Sequence, residues 1–260
     1  MVAKFYINLD SSIERRKKME DLFSSINMKV EKVSAVDGRT PQNKILFEEI
    51  QLEPSKRILF ERDLLPGEIG CYLSHLKCLK AFLKTDAEWA LILEDDVKIS
   101  KDLSVLLHNI CWIPKNVSLI QLSSLLKSGE TFFMEKKTIT VNENYKLIHI
   151  IRPKPVGTQG YLINRKAAMD FISLSSKLKA PVDEILFSTD FSFARKHKNY
   201  TLYPCLISPC DDEISTIGEN EGVRGYQEKR MISKFLKFNL KMKNSFNKKF
   251  SVRGEMSFMD

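Results

Sequence analysis

The chain has 260 residues, 43% of them hydrophobic, which is enough for one large α/β domain or two small ones and too apolar for a wholly disordered protein. Its 41 Lys and Arg against 33 Asp and Glu leave a net charge of +8, favouring an anionic partner such as a phosphate, a nucleic acid or an anionic lipid without choosing among them. The five cysteines, an odd number with no C-x-x-C pair, argue against a disulfide framework or a zinc knuckle and read mostly as reduced packing thiols.

The opening "MVAKFYINLD" lacks the charged start, continuous apolar stretch and cleavage site of a secretory signal, and no later apolar run approaches membrane-spanning length, so a cytoplasmic protein is expected. "AKFYINLD" (3–10) reads as a buried first strand, and "SSIERRKKMEDLFSSI" (11–26) as a helix with Ser11 or Ser12 at its N-cap. "KVEKVSAVDG" (29–38) is a second strand ending at Asp37-Gly38, so the chain begins β-α-β, the unit of a parallel sheet. Residues 39–63 read as a loop with a short helix. "LLPGEIGCYLSHLKCLKAFLK" (64–84) starts with a Pro-Gly turn and continues as a helix with Leu73, Leu76, Leu79 and Leu83 on one stripe.

"EWALILEDDV" (88–97) is a further buried strand that stops at its acids, followed by a helix over 101–110 and a strand over 117–122. The pattern fades from 123 to 146, as in a mobile loop or a small hairpin over a site. Strands are expected at 147–151, 157–163 and 200–207, and helices at 165–178 and 182–196. After about residue 225 the composition shifts: 228–254 is dense in Lys and Arg, with apolar residues interspersed at roughly helical spacing. Such a segment suits an anionic membrane surface, and equally a solvated terminal helix packed on the domain.

The chemistry concentrates in "LILEDDV". An aliphatic strand delivers Glu94, Asp95 and Asp96 to the edge where α/β sheets bind ligands. Alternation places Glu94 and Asp96 on one face, where two like charges are costly unless a cation lies between them, and hard carboxylate oxygens suit Mn²⁺ or Mg²⁺. Such an ion would also let a nucleoside diphosphate approach the acids. Caps for the helix near 101, or a solvated turn, would account for the same triplet. P-loop, dinucleotide and serine-hydrolase signatures are missing from the sequence.

In order along the chain, "INLDSSIERRKKME", "VSAVDG", "LLPGEIGCYLSHL", "ALILEDDV", "GTQGYLINRKAA", "PVDEILF" and "STIGE" resemble glycosyltransferase family 25, the lipooligosaccharide glycosyltransferases related to collagen galactosyltransferases. The match runs from about residue 2 to 218, with "PGEIGCYLSHL" and "LILEDDV" its most specific pair. The resemblance implies a GT-A-type nucleotide-binding α/β fold over 1–225, with a mostly parallel central sheet flanked by helices, and a basic helical tail over 226–260.

By position it implies that Glu94-Asp95-Asp96 is the Asp-x-Asp-like motif. Asp96 would be the best ligand for Mn²⁺ (or Mg²⁺), assisted by Glu94, with Glu94 or Asp95 nearer the ribose and sugar of the donor. Asn8, Leu9 and Arg15 or Arg16 would lie at the nucleotide edge and Asp37 near the base or ribose. Ser74 and His75 would contact the donor, with Gly67 and Gly70 as turn glycines and Gly157 under the sugars; a core histidine is an equal reading of His75. Asp183 is the expected general base, ahead of Glu184 and Asp190, although a helix N-cap suits it too. One of Asp211, Asp212 and Glu213 is a candidate to complete a metal shell, and a solvated loop is an equal reading of the three.

The activity implied is inverting transfer of galactose from UDP-galactose, or another UDP-hexose, to a lipid-linked oligosaccharide with a β-1,4 linkage. It would occur at the inner face of the cytoplasmic membrane, with residues 228–254 on the anionic surface. The competing readings are a basic nucleic-acid-binding protein, for which the sequence holds no motif, and a relative that binds sugar nucleotide without transferring it.

Overall fold

The computed structural model describes residues 1–40, 64–124, 126–152, 157–174, 180–210 and 251–259. All but the first two residues of the expected loop over 39–63, the acids Asp211, Asp212 and Glu213, the boundary near 225 and most of the basic tail lie outside the described residues.

The elements follow in chain order. The first part holds β1 (Val2–Asn8), α1 (Ile13–Ser25), β2 (Glu31–Ser34), α2 (Pro66–Leu83), β3 (Trp89–Leu93), β4 (Val97–Ile99) and α3 (Asp102–His108). Next come β5 (Leu119–Gln121), β6 (Thr131–Glu135), β7 (Ile139–Thr140), β8 (Lys146–Ile148), β9 (Ile150–Arg152) and β10 (Gly160–Asn164). Last are α4 (Arg165–Leu174), α5 (Val182–Phe187), α6 (Ser192–Lys196), β11 (Asn199–Tyr203), β12 (Ile207–Pro209) and β13 (Ser251–Glu255).

The main sheet has eight strands in the order β2-β1-β3-β10-β5-β11-β8-β7. β2, β1 and β3 are parallel, as the β-α-β opening requires, and so are β5 and β11. β10 runs against both of its neighbours, β3 and β5, which makes the sheet mixed at its centre.

Both faces of the sheet are covered, and strand alternation sorts the side chains between them. Phe5, Ile7, Ile92, Tyr161 and Ile163 pack against α2, α4, α5 and α6 through residues such as Leu79, Phe82, Phe171 and Phe187. Their neighbours Tyr6, Leu91, Leu93 and Leu162 face the opposite way, onto Met19 and Phe23 of α1 and Leu103 and Leu107 of α3. This three-layer arrangement is the α/β architecture expected from the sequence.

Several elements differ from the sequence expectation for local reasons. The helix expected over 182–196 breaks into α5 and α6, because the Ser188 side chain binds the Asp190 backbone N–H and Arg195 clasps the Thr189 and Asp190 carbonyls, closing a turn. The strand expected over 147–151 divides between two sheets, β8 joining the main one and β9 a small one. Residues 123–146 are not a cover over the site: β6 pairs with β9 and β13, and β7 is the far edge of the main sheet. The C-terminal residues 251–254 are not helical either, since β13 pairs antiparallel with β6. Pro66 and Gly67 form the first turn of α2 itself, where a missing N–H costs nothing, and Glu68 reaches back to the Leu65 N–H at 2.8 Å.

Candidate active site

The C-terminal ends of β1, β2 and β3, the start of β10 and the first turns of α2 and α5 surround one cleft of about 450 Å³. Asn8, Leu9, Arg15, Asp37, Ser74, His75, Glu94, Asp95, Asp96, Gly157 and Asp183 all line it. Residues far apart in sequence therefore converge where an α/β sheet presents its strand ends. Arg16 does not line it; this side chain turns toward Glu20, one helical turn on.

The acidic triplet sits where β3 ends and the chain bends before β4, so strict alternation stops at Leu93 and the three carboxylates go to three different places. Helix capping is excluded, because β4 separates them from α3, which starts at Asp102. Glu94 turns toward α2: Thr158 Oγ1 donates to it at 2.5 Å and His75 Nε2 stands 3.4 Å away. Burial would raise its pKa, but those two contacts and Arg15 outweigh burial and lower it.

Asp95 turns toward β1 and α1, accepting from Asn8 Nδ2 at 2.6 Å and Arg15 at 3.2 Å. These contacts fix the Asp95 carboxylate and leave acceptor lone pairs on both oxygens. Asp96 lies 3.8 Å from Arg15, and its Oδ1 is buried with no hydrogen-bond partner. Burial, then Glu94 and Asp95, push its pKa up to about 7.

Arg15 is thus one cation between the acids, and their repulsion is partly answered by protein. The orphaned Oδ1 of Asp96 remains, a hard oxygen of the kind that Mn²⁺ or Mg²⁺ takes, and in that respect the residues fit such an ion. Six carboxylates line the cleft (Asp37, Glu68, Glu94, Asp95, Asp96 and Asp183) against the guanidinium groups of Arg15 and Arg39, which leaves an excess of acidic groups for a further cation.

Asp183 opens α5. Its Oδ1 accepts the Glu184 backbone N–H at 2.9 Å and its Oδ2 the Gly157 N–H at 3.2 Å. Burial pushes its pKa up to about 6, against these two bonds. Among the three acids considered as bases, Asp183 alone lines the cleft. Gly157 has φ +107°, a conformation side chains resist, and its carbonyl accepts from Gln121 at 2.8 Å.

Ser74 donates to the Gly70 carbonyl at 2.6 Å and accepts the Val36 N–H at 2.8 Å, contacts that tie α2 to the end of β2. Gly70 belongs to the same contact: a Cβ there would meet Val36 O at 2.5 Å and Gly38 N at 2.7 Å, so it is a close-approach glycine inside a helix and not a turn glycine. Asp37 is held by Arg39 through paired contacts of 2.9 and 3.1 Å, which lower its pKa.

His75 combines both readings given to it. It is buried, its Nδ1 is 3.0 Å from the Tyr161 hydroxyl, and its ring stacks on that tyrosine, yet Nε2 points toward Glu94 in the cleft. Cys71, Thr158, Gln159 and Arg39 also line the cleft and were not singled out from the sequence. Thr158 and Gln159 lie in the quoted "GTQGYLI", whereas Cys71 carried no signal beyond being a thiol one helical turn before His75.

Comparison with known proteins places this chain in a family. The family model described as "Glycosyltransferase family 25 (LPS biosynthesis protein)" matches residues 1–186, and the chain belongs to glycosyltransferase family 25. It is 28% identical over 249 residues to procollagen galactosyltransferase 2 of Homo sapiens, covering 84% of this chain and 38% of that protein. It is 29% identical over 185 residues to a glycosyltransferase 25 family member of Drosophila pseudoobscura pseudoobscura, covering 70% of this chain and 29% of that one.

The chain therefore spans roughly a third of these animal relatives. A Haemophilus influenzae protein, named only provisionally as a glycosyltransferase, is 26% identical over 94% of this chain and 83% of its own length. A solved glycosyltransferase involved in glycosylating the major capsid of PBCV-1 covers 82% of this chain and 94% of its own, with a TM-score of 0.39 and 10% identity, too distant to carry an argument. No helix among the described residues is long and apolar enough to cross a membrane.

Proposed function

We propose that this chain is a metal-dependent inverting glycosyltransferase of GT-A type that moves galactose from UDP-galactose to a terminal sugar of a bacterial lipooligosaccharide, forming a β-1,4 linkage. The observation that carries this reading is the convergence of Glu94, Asp95, Asp96 and Asp183 on one cleft at the strand ends. The name of the human relative supports galactose, and the description of the family supports a lipopolysaccharide-type acceptor.

Asp96 and Glu94 are the residues that would hold Mn²⁺ or Mg²⁺, which when bound neutralises charge growing on the departing diphosphate. Asp183 takes the proton of the acceptor hydroxyl as that oxygen bonds to the anomeric carbon and the bond from that carbon to the UDP oxygen breaks. Its two backbone N–H bonds fix the carboxylate and leave lone pairs for the proton. Asn8 and Arg15 hold Asp95, and through it the bend that carries Asp96. A lipid-linked acceptor places the reaction at the inner face of the cytoplasmic membrane, where residues 228–254 would meet anionic lipid.

Thermal-shift and calorimetric titration with UDP-galactose, UDP-glucose and UDP-N-acetylglucosamine, each with Mn²⁺, tests the reading. Stabilisation by one of them, followed by its hydrolysis or transfer, is expected. Folded protein that takes up none of the three with Mn²⁺ present rules it out, and binding without turnover favours a non-catalytic relative.

A further inference from the structure

Cys71 and His75 lie one turn apart on the same face of α2, opposite Glu94 at the end of β3. One thiol sulfur, one imidazole nitrogen and one carboxylate oxygen from these residues all lie within 4.8 Å of one another. His75 Nε2 is buried without a hydrogen-bond partner, in a residue only 1% exposed, and is aimed into this group. Its other ring nitrogen rests on Tyr161, so with the proton on Nδ1 the Nε2 lone pair is directed at the cluster and the tyrosine oxygen supports the ring, as outer contacts of metal-binding histidines do.

A buried nitrogen that faces Glu94 at 3.4 Å without making a hydrogen bond is costly, and here two further donors of different chemistry share its surroundings. We propose that Cys71, His75 and Glu94 form a second cation site in the cleft, of a thiolate-accepting transition metal of the Zn²⁺ type, separate from the hard-oxygen position at Asp96. Sulfur and imidazole donors select zinc over manganese or magnesium, and zinc bonds of about 2.0–2.3 Å span the cluster after small rotations of the Cys71 and Glu94 side chains. All three residues line the cleft, so a fourth coordination position faces the space a ligand would enter.

Occupancy commits Glu94 to the α2 side. Zinc is therefore expected to weaken Mn²⁺-dependent donor binding, a consequence that rests on the proposed function, whereas the site itself does not. Sequence spacing gave no warning of it, since the zinc patterns legible in a sequence are pairs of ligands within one segment and this set draws one member from another element.

Cobalt serves as the probe, because a thiolate bound to Co²⁺ gives a charge-transfer absorption that oxygen and nitrogen ligands alone do not. Titrating the full chain with Co²⁺ should produce this band in wild type, in Cys111→Ser and in Cys210→Ser, the last being the other cleft cysteine. Cys71→Ser should abolish it, and His75→Ala should weaken cobalt binding by more than about tenfold, the least that loss of even a supporting partner costs. Zn²⁺ should displace the cobalt.

A wild type without the band, or a band that survives in folded Cys71→Ser, overturns the proposal. Should Cys71→Ser fail to fold, peptide-mapped alkylation of wild type decides instead: Cys71 is expected to be protected by Zn²⁺, and an alkylation rate indifferent to zinc overturns the site. Failure of sugar-nucleotide binding with Mn²⁺ would remove the proposed function and leave the cobalt result standing.

Discussion

Asp183 and Asp96 are two buried carboxyls held in different ways, and each makes a separate prediction. Asp183 has one backbone N–H on each oxygen, so Asp183→Asn keeps the size of the side chain and one of the two bonds, loses the other because its amide nitrogen cannot accept, and removes the base. Turnover should fall by about 10²–10⁴-fold with UDP-sugar affinity unchanged in calorimetry; near-normal turnover would reject this residue as the base. As its pKa lies at about 6, the proton-accepting form appears as pH rises, and kcat/KM should climb through about pH 6 before levelling.

Asp96 bears on stability. Its folded pKa of about 7 lies above that of an unfolded aspartate, so the native state binds the extra proton, and the metal-free protein loses stability as pH rises from about 4 to about 7. Asp183 acts in the same direction over the lower part of that window. Glu94 and Asp37, with lowered pKa values, contribute stability that is lost only when pH falls below the ordinary carboxylate range. Denaturant unfolding of Asp96→Asn should therefore show a flatter decline toward pH 7 than wild type, and an equally steep decline would contradict the burial described for Asp96.

Among the elements, α2 decides the shape of the cleft. Its backbone touches the segment after β2 directly, Gly38 meeting Pro66 and Gly70 meeting Val36, and Ser74 completes the seam. Gly70→Ala should cost about 1–3 kcal/mol, read from chemical denaturation, because the neighbours a methyl would strike are backbone atoms that cannot rotate aside. The same substitution should weaken donor binding, since His75 and Cys71 ride on this helix; a neutral result in both measurements would refute the close approach. The motif "PGEIGCYLSHL" announced a helix, but nothing in it says that its glycine meets the "VDG" turn some thirty residues earlier.

Across the whole molecule, the C-terminus is part of the body. β13 pairs with β6, and Met256 is buried with Phe132, Ile150 and Cys205. Truncation after residue 250 should lower the melting temperature, a result incompatible with a dispensable tail. Membrane attachment is then better tested by replacing Lys and Arg within 228–250 by Gln, which spares β13. Such a variant should bind anionic vesicles more weakly than wild type, and unchanged binding would remove the membrane part of the proposal.

The sequence by itself determined most strands of the main sheet and the helices α1 to α4, from periods of two and near four, and that acids emerge at a strand end. It also marked the residues that gather in the cleft, through motifs short enough to be local. Only the tertiary structure decided the antiparallel insertion of β10, the pairing of β13 with β6, and which partner each acid takes: His75 and Thr158 for Glu94, Asn8 and Arg15 for Asp95, backbone N–H groups for Asp183. Strand order and charge partners depend on contacts between residues tens of positions apart, whose energy no local period encodes. A side chain's chemistry here was readable in place, whereas its surroundings existed only once the sheet had formed.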